Sequence, residues 1–186
     1  APDHRIDAFL AAGHVCTVMG LEAYRAICAH HRVPIVATGF EPVDILIGVL
    51  AAVRQLEAGV AYVENRYERS VAADGNREAQ TLLNAVFEPV DRAWRGLGTI
   101  PASGLALTPA YAAFDAERRY GKVCDAGADN AGCISGLVLQ GRKLPSDCPN
   151  FGRTCTPEHP LGVTMVSSEG ACAAYHLYRN VRRAAG

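Results

Sequence analysis

The sequence lacks the marks of a membrane or nucleic-acid protein. Its longest apolar run, residues 43–53, is interrupted by Asp44 and followed by Arg54. A bilayer span needs about 20 apolar residues, so this run reads as a core-facing helix. Lysine and arginine number 18 against 19 acidic residues, for a formal net charge of −1. That balance leaves no basic footprint for nucleic acid or anionic lipid. The opening, APDHRIDAFLAAGH, has no basic stretch leading into an apolar one, so a secretory leader is not expected. There is no initiator methionine, and the chain is expected to be a piece of something longer. No C-x-x-C pair, internal repeat or low-complexity tract occurs.

What is present is cysteine, seven residues in all. An odd count without an export signal favours a reducing cytoplasm and thiolate–metal chemistry over disulfides.

The first part of the chain alternates between strand-like and helical patterns. Residues 6–10, 33–37, 60–63 and 97–100 read as strands. Residues 21–31, 43–56 and 76–86 read as helices, with Leu21, Tyr24, Ile27 and Cys28 on one side of the first. Leu82, Leu83 and Val86 mark the inner face of the third. Pro42 suits a first helical turn. The β-α-β-α order predicts an α/β fold, a parallel sheet flanked by helices in a Rossmann-like three-layer arrangement. A change of character comes near Ala102. The predicted division is an α/β domain over 1–107 and a cysteine-rich module over 108–186, with a bridging helix at 109–120 and a C-terminal helix at 171–183. Residues 133–162 hold four prolines and no sustained helical period.

Four cysteines crowd that module: Cys133, Cys148, Cys155 and Cys172, spaced C-x14-C-x6-C-x16-C. Structural zinc sites usually pair ligands as C-x2–4-C knuckles, and none of these spacings fits. Iron–sulfur clusters accept ligands from separate loops, because their inorganic core is larger. Cys172 falls in the first turns of the last helix, where the positive helix end favours thiolate. The alternative is that some of the four are buried free thiols.

Other candidates are weaker. GFEPVD, Gly39 to Asp44, sits where a strand meets a helix, and open α/β sheets bind ligands at such ends. There Glu41 either projects into a cleft or caps the helix. Glu169, near Cys172, is a candidate proton donor or acceptor, or a simple helix-capping acid. His14 and Cys16 follow the first strand, where local packing competes with a ligand role. Cys28 reads as core, His30 and His31 as a solvated helix end, and Cys124 lies outside the spaced set. VENRYERS reads as a charged, solvated strand exit, and Trp94 with Arg95 as anchors of the fourth strand.

Five stretches carry a family resemblance: GHVCTVMG around His14, PIVATGFEPVDIL (34–46), QLEAGVAYVENRYERSV (55–71), VFEPVDRAWRGLGTIPASGL (86–105) and DCPNFGRTCTPEHPLGVTMVSSEGACAAY (147–175). They resemble the C-terminal half of the HypD family of [NiFe]-hydrogenase maturation proteins, over almost the whole chain. The resemblance implies a [4Fe–4S] cluster whose ligands match Cys133, Cys148, Cys155 and Cys172. It also implies a scaffold rather than a turnover enzyme, for assembling an iron that carries cyanide and carbon monoxide, the Fe(CN)2CO group. A HypC-type chaperone and a HypE-type cyanide donor, charged through HypF, are the implied partners, and the hydrogenase large subunit receives the product. The sequence departs from the family in two ways. The Cys-Gly-Thr-His and Gly-Pro-Gly-Cys-Pro-x-Cys motifs do not occur in it, and Ser135 replaces a cysteine of the family's Gly-Cys-x-Cys-Gly stretch. Two other readings compete: a cluster-dependent thiol–disulfide redox protein and a zinc-stabilised binding module.

Overall fold

The computed structural model describes residues 4–121 and 132–179. By its contacts the chain divides into two compact units. One is Ile6–Phe87; the other is Ala1–Arg5 with Glu88–Gly186.

The first unit is built on a three-stranded parallel sheet in the order β1 (Phe9–Ala12), β2 (Ile35–Thr38), β3 (Val63–Asn65). Leu10 pairs with Val36 and Val36 with Glu64, which fixes the register. Central β2 reads Ile-Val-Ala-Thr and is buried throughout, as a parallel strand covered on both faces should be. Side chains alternate across a strand, and the core divides accordingly. Ile35 and Ala37 pack with Cys16 of α1 (Gly13–Met19), with Cys28 of α2 (Glu22–His31) and with Leu21 just before α2. Val36 packs with Ala51 and Ala52 of α3 (Pro42–Glu57). Helices therefore cover both faces, and the α/β expectation is met. Helix α4 (Arg77–Val86) starts at Asn76, whose side chain accepts a hydrogen bond from the Ala79 N–H at 3.0 Å.

Several local expectations are corrected. Strand β3 begins only at Val63, because the Val60 N–H is held by the Gln55 carbonyl at the end of α3. Ile27 and Leu82 face solvent; Leu82 is 67% exposed. The inner side of α4 is Ala79, Gln80, Leu83 and Val86, as a 3.6-residue repeat requires. Helix α3 is apolar on most sides and leaves Val43 and Leu46 exposed.

In the second unit, residues 97–100 do not extend the parallel sheet. Leu97 ends a turn, and the rest belong to β5 (Gly98–Leu107), which pairs with β4 (Phe87–Trp94) as a separate two-stranded ribbon. The three-residue connection is too short for a parallel crossover. Trp94 anchors the ribbon by donating from Nε1 to Ser103 Oγ at 2.7 Å. The expected bridging helix is a 3-10 segment, Pro109–Phe114, followed by α5 (Ala116–Tyr120). Asp115 breaks it by capping the Arg118 N–H. Beyond lie α6 (Ser135–Leu139), α7 (Val163–Val166) and α8 (Ala171–Arg179). Cys124 and the end of the expected C-terminal helix lie outside the described residues.

Candidate metal centre

The four spaced cysteines arrive from four segments of the second unit. Cys133 precedes α6. Cys148 follows a 3-10 turn, Pro145–Asp147, which is closed by the Leu144 N–H donating to the Asp147 carboxylate at 2.9 Å. Cys155 ends a tight loop organised by Asn150. The Asn150 carbonyl accepts from Cys155 N–H at 2.9 Å, and its side-chain oxygen accepts from the Thr154 hydroxyl at 2.9 Å. Phe151 ties that loop to α8 by edge contacts with Tyr175 and His176, at centroid distances of 5.9 and 5.7 Å. Cys172 is the second residue of α8. Cys155 and Cys172 are buried with Met165 and Ala173, while Cys133 and Cys148 are half-buried. All six described cysteines are free thiols.

The sulfurs have specific neighbours. The Thr164 hydroxyl donates to Cys172 Sγ at 3.0 Å. The Leu161 N–H donates to Cys155 Sγ at 3.4 Å. Gly162 lies so close to Cys133 that a Cβ there would strike its Sγ. Burial pushes the Cys172 thiol up, the Thr164 hydroxyl pulls it back, and the charges of Cys155, Cys133 and Cys148 push it up again. All three other thiols therefore act on Cys172 electrostatically. Four thiolates in that relation repel unless a cation sits among them. Among the described residues, no three His, Cys, Asp or Glu side chains form a group that could hold a metal ion directly. Four cysteine sulfurs are a donor set that both structural zinc and iron–sulfur clusters use.

The GFEPVD loop of the first unit is a clasp. Arg69 grips Asp44 with both guanidinium nitrogens, at 2.9 and 2.6 Å, and its guanidinium carbon lies 4.5 Å from the Tyr67 ring centre. The Thr38 hydroxyl donates to the Asp44 carbonyl at 2.8 Å. Arg69 holds the Asp44 carboxyl below the usual carboxylate range, with help from the Glu41 N–H. That N–H bond is the return half of a capping box. Gly39 is required here, since a Cβ would strike the Asp44 carboxylate and the Tyr67 ring. Nothing in the sequence links residues 25 apart, so the Arg69 partnership could not be read from it.

Glu41 is exposed, does not cap α3 through its side chain, and reaches Arg69 only at 3.9 Å. Glu169 is exposed in the turn before α8. His14 is exposed against Phe40, at a centroid distance of 5.1 Å. Cys16 is fully buried, where burial raises its thiol and the Tyr24 hydroxyl lowers it. Cys28 is also buried and raised. The sequence reading missed Thr164 and Leu161. The only available signal was their position inside the long cysteine-bearing stretch.

Comparison with known proteins agrees along the length of both units. The chain is 46% identical over 182 residues to the hydrogenase expression/formation protein HupD of Azotobacter chroococcum mcd 1, covering 97% of this chain and 48% of that protein. It is 47% identical over 179 residues to the hydrogenase maturation factor HypD of Escherichia coli K12, covering 96% and 48%. It is 46% identical over 189 residues to HypD of Rhodobacter capsulatus, covering 98% and 50%. The chain thus spans about half the length of the curated relatives it matches. The HypD sequence model, described as the hydrogenase formation hypA family, matches residues 1–179, from the sheet through the last described cysteine, and the chain belongs to that family.

Proposed function

We propose that this chain is the cluster-bearing part of a [NiFe]-hydrogenase maturation factor, with a [4Fe–4S] cluster held by Cys133, Cys148, Cys155 and Cys172. One observation carries the reading: Cys155 and Cys172 are buried in one cluster, a hydroxyl and an N–H donate to their sulfurs, and Gly162 lies against Cys133 Sγ. When bound, such a cluster supplies one-electron transfer. The chain's own residues hold and shield it. Met165 and Ala173 exclude water beside Cys155 and Cys172, and the Asn150 turn fixes the backbone between Cys148 and Cys155.

In this reading the whole protein is a cytoplasmic scaffold, not a turnover enzyme. An iron bearing cyanide and carbon monoxide is its cargo, a HypC-type chaperone and a HypE-type cyanide donor are its partners, and the hydrogenase large subunit is the recipient. Among the described residues no helix is long and apolar enough to cross a membrane. The family's iron-holding cysteine motifs are not among the residues of this sequence, so the assembly step needs groups beyond it.

The test is metal and acid-labile sulfide analysis of the anaerobically purified chain. About four irons and four sulfides per chain are expected for a cubane. Stoichiometric zinc without sulfide overturns the reading.

A further inference from the structure

Residues 161–164, Leu-Gly-Val-Thr, touch three of the four candidate sulfurs within four positions. The Leu161 N–H donates to Cys155 Sγ at 3.4 Å, and the Gly162 backbone lies against Cys133 Sγ. The Thr164 hydroxyl donates to Cys172 Sγ at 3.0 Å. The segment follows Pro160, and its turn into α7 is closed by the Met165 N–H donating to the Gly162 carbonyl at 3.0 Å. Thr164 is only 5% exposed, so water does not compete for its proton.

The Thr164 bond is unlike those of the other helical threonines described. Thr17 and Thr81 give their hydroxyl protons to the carbonyl four residues back, at Gly13 and Arg77, which is the common helical habit. Thr164 stands in the first turn of α7 and spends its one donor on sulfur. In a buried setting such a bond is stronger than at the surface. Hydrogen bonds to ligand sulfurs stabilise the more electron-rich state of an iron–sulfur centre and raise its potential.

We propose that residues 161–164 form a strap that tunes the electron affinity of the centre, with Thr164 as its principal positioning residue at Cys172. The proposal rests on the cluster reading above. It assigns three roles within one short segment. Thr164 donates to one sulfur and Leu161 to a second. Gly162 has no side chain because Cys133 needs the space.

The test is a redox titration of the anaerobically reconstituted chain, read by visible absorption, with iron and sulfide measured on the same samples. Thr164→Val keeps the shape and removes the donor. It should keep its iron and lower the midpoint potential, by about tenfold in the reduction constant, which is about 59 mV for one electron. Thr164→Ser keeps the hydroxyl and should stay near wild type. Gly162→Ala should lose iron, because its methyl group displaces Cys133. If Thr164→Val does not fold, Thr164→Ala must give the same shift. An unchanged potential in the donor-free variant overturns the strap while leaving the cluster standing. An equal shift in Thr164→Ser does the same. A wild-type chain that takes up no iron and sulfide overturns both.

Discussion

The two units bury cysteine in different ways. In the first, Cys16 and Cys28 sit among Ala11, Leu21, Ile35, Ala37 and Val71. They behave as small apolar fillers, and burial alone is the largest influence on either thiol. In the second, Cys155 and Cys172 share a cluster with only Met165 and Ala173 fully buried beside them. Both units raise thiols by burial, and both even supply a hydroxyl: Tyr24 to Cys16 and Thr164 to Cys172. What differs is company. Cys172 has the charges of three other thiols acting on it, and neither Cys16 nor Cys28 has a thiol among the influences on it. Depth is common to both units; the company of other thiols is not.

The comparison breaks most sharply at the metal. Cys148→Ala should abolish the visible cluster absorption and the bound iron, while Cys28→Ala should leave both intact. If the two variants lose iron alike, the distinction between filler and ligand is wrong.

A smaller contrast lies in packing. Met165 is 1% exposed and Ile35 is 3% exposed. Truncating either to alanine should cost about 2–5 kcal/mol in denaturant unfolding. A centre that binds only the folded second unit stabilises by mass action. Reconstitution should therefore recover stability in Met165→Ala and leave Ile35→Ala where it was. Equal recovery in both would mean that the centre supports the two cores without distinction.

The smallest effect is electrostatic and confined to the first unit. Arg69 keeps the folded-state Asp44 pKa below its ordinary value. The stabilisation is then fully present above the unfolded carboxylate value of about 3.9, and it is lost as pH falls through the lower folded-state value. Asp44→Asn should lower the melting temperature modestly near neutrality and flatten its decline on the acid side. Melts taken from about pH 6 to about pH 3 would show this, since the ordinary carboxylate titrates within that span. A variant as acid-sensitive as wild type would remove Asp44 from the account.

Much of the first unit was legible in the sequence, because its signals are local. The run Ile35 to Thr38 is continuous and apolar enough to be recognised as a covered strand. Pro42 and the apolar spacing behind it marked α3 to within a residue or two. The ribbon of β4 and β5 was not legible. Phe87 to Trp94 mixes Pro89 and three charged residues with four apolar ones out of alternation, and seven of its eight residues are exposed. Such a strand has no buried face to leave a pattern. Its partner was misassigned for the same reason: Thr99 and Ile100 suit any strand, and only the short Arg95-Gly96-Leu97 turn decides which neighbour they meet. At the candidate centre, spacing picked out the cysteines, but the donors to sulfur depend on which loops meet in space.

The sheet order has a kinetic meaning as well. The clasp between Asp44 and Arg69 closes a separation of 25 residues, and every strand pairing in the sheet waits on a crossover. The Thr164–Cys172 contact closes a separation of eight. Short loops are cheaper to close, and chains dominated by local contacts fold faster. The loops around Cys148 and Cys155 can therefore take shape while the parallel sheet is still searching for its register.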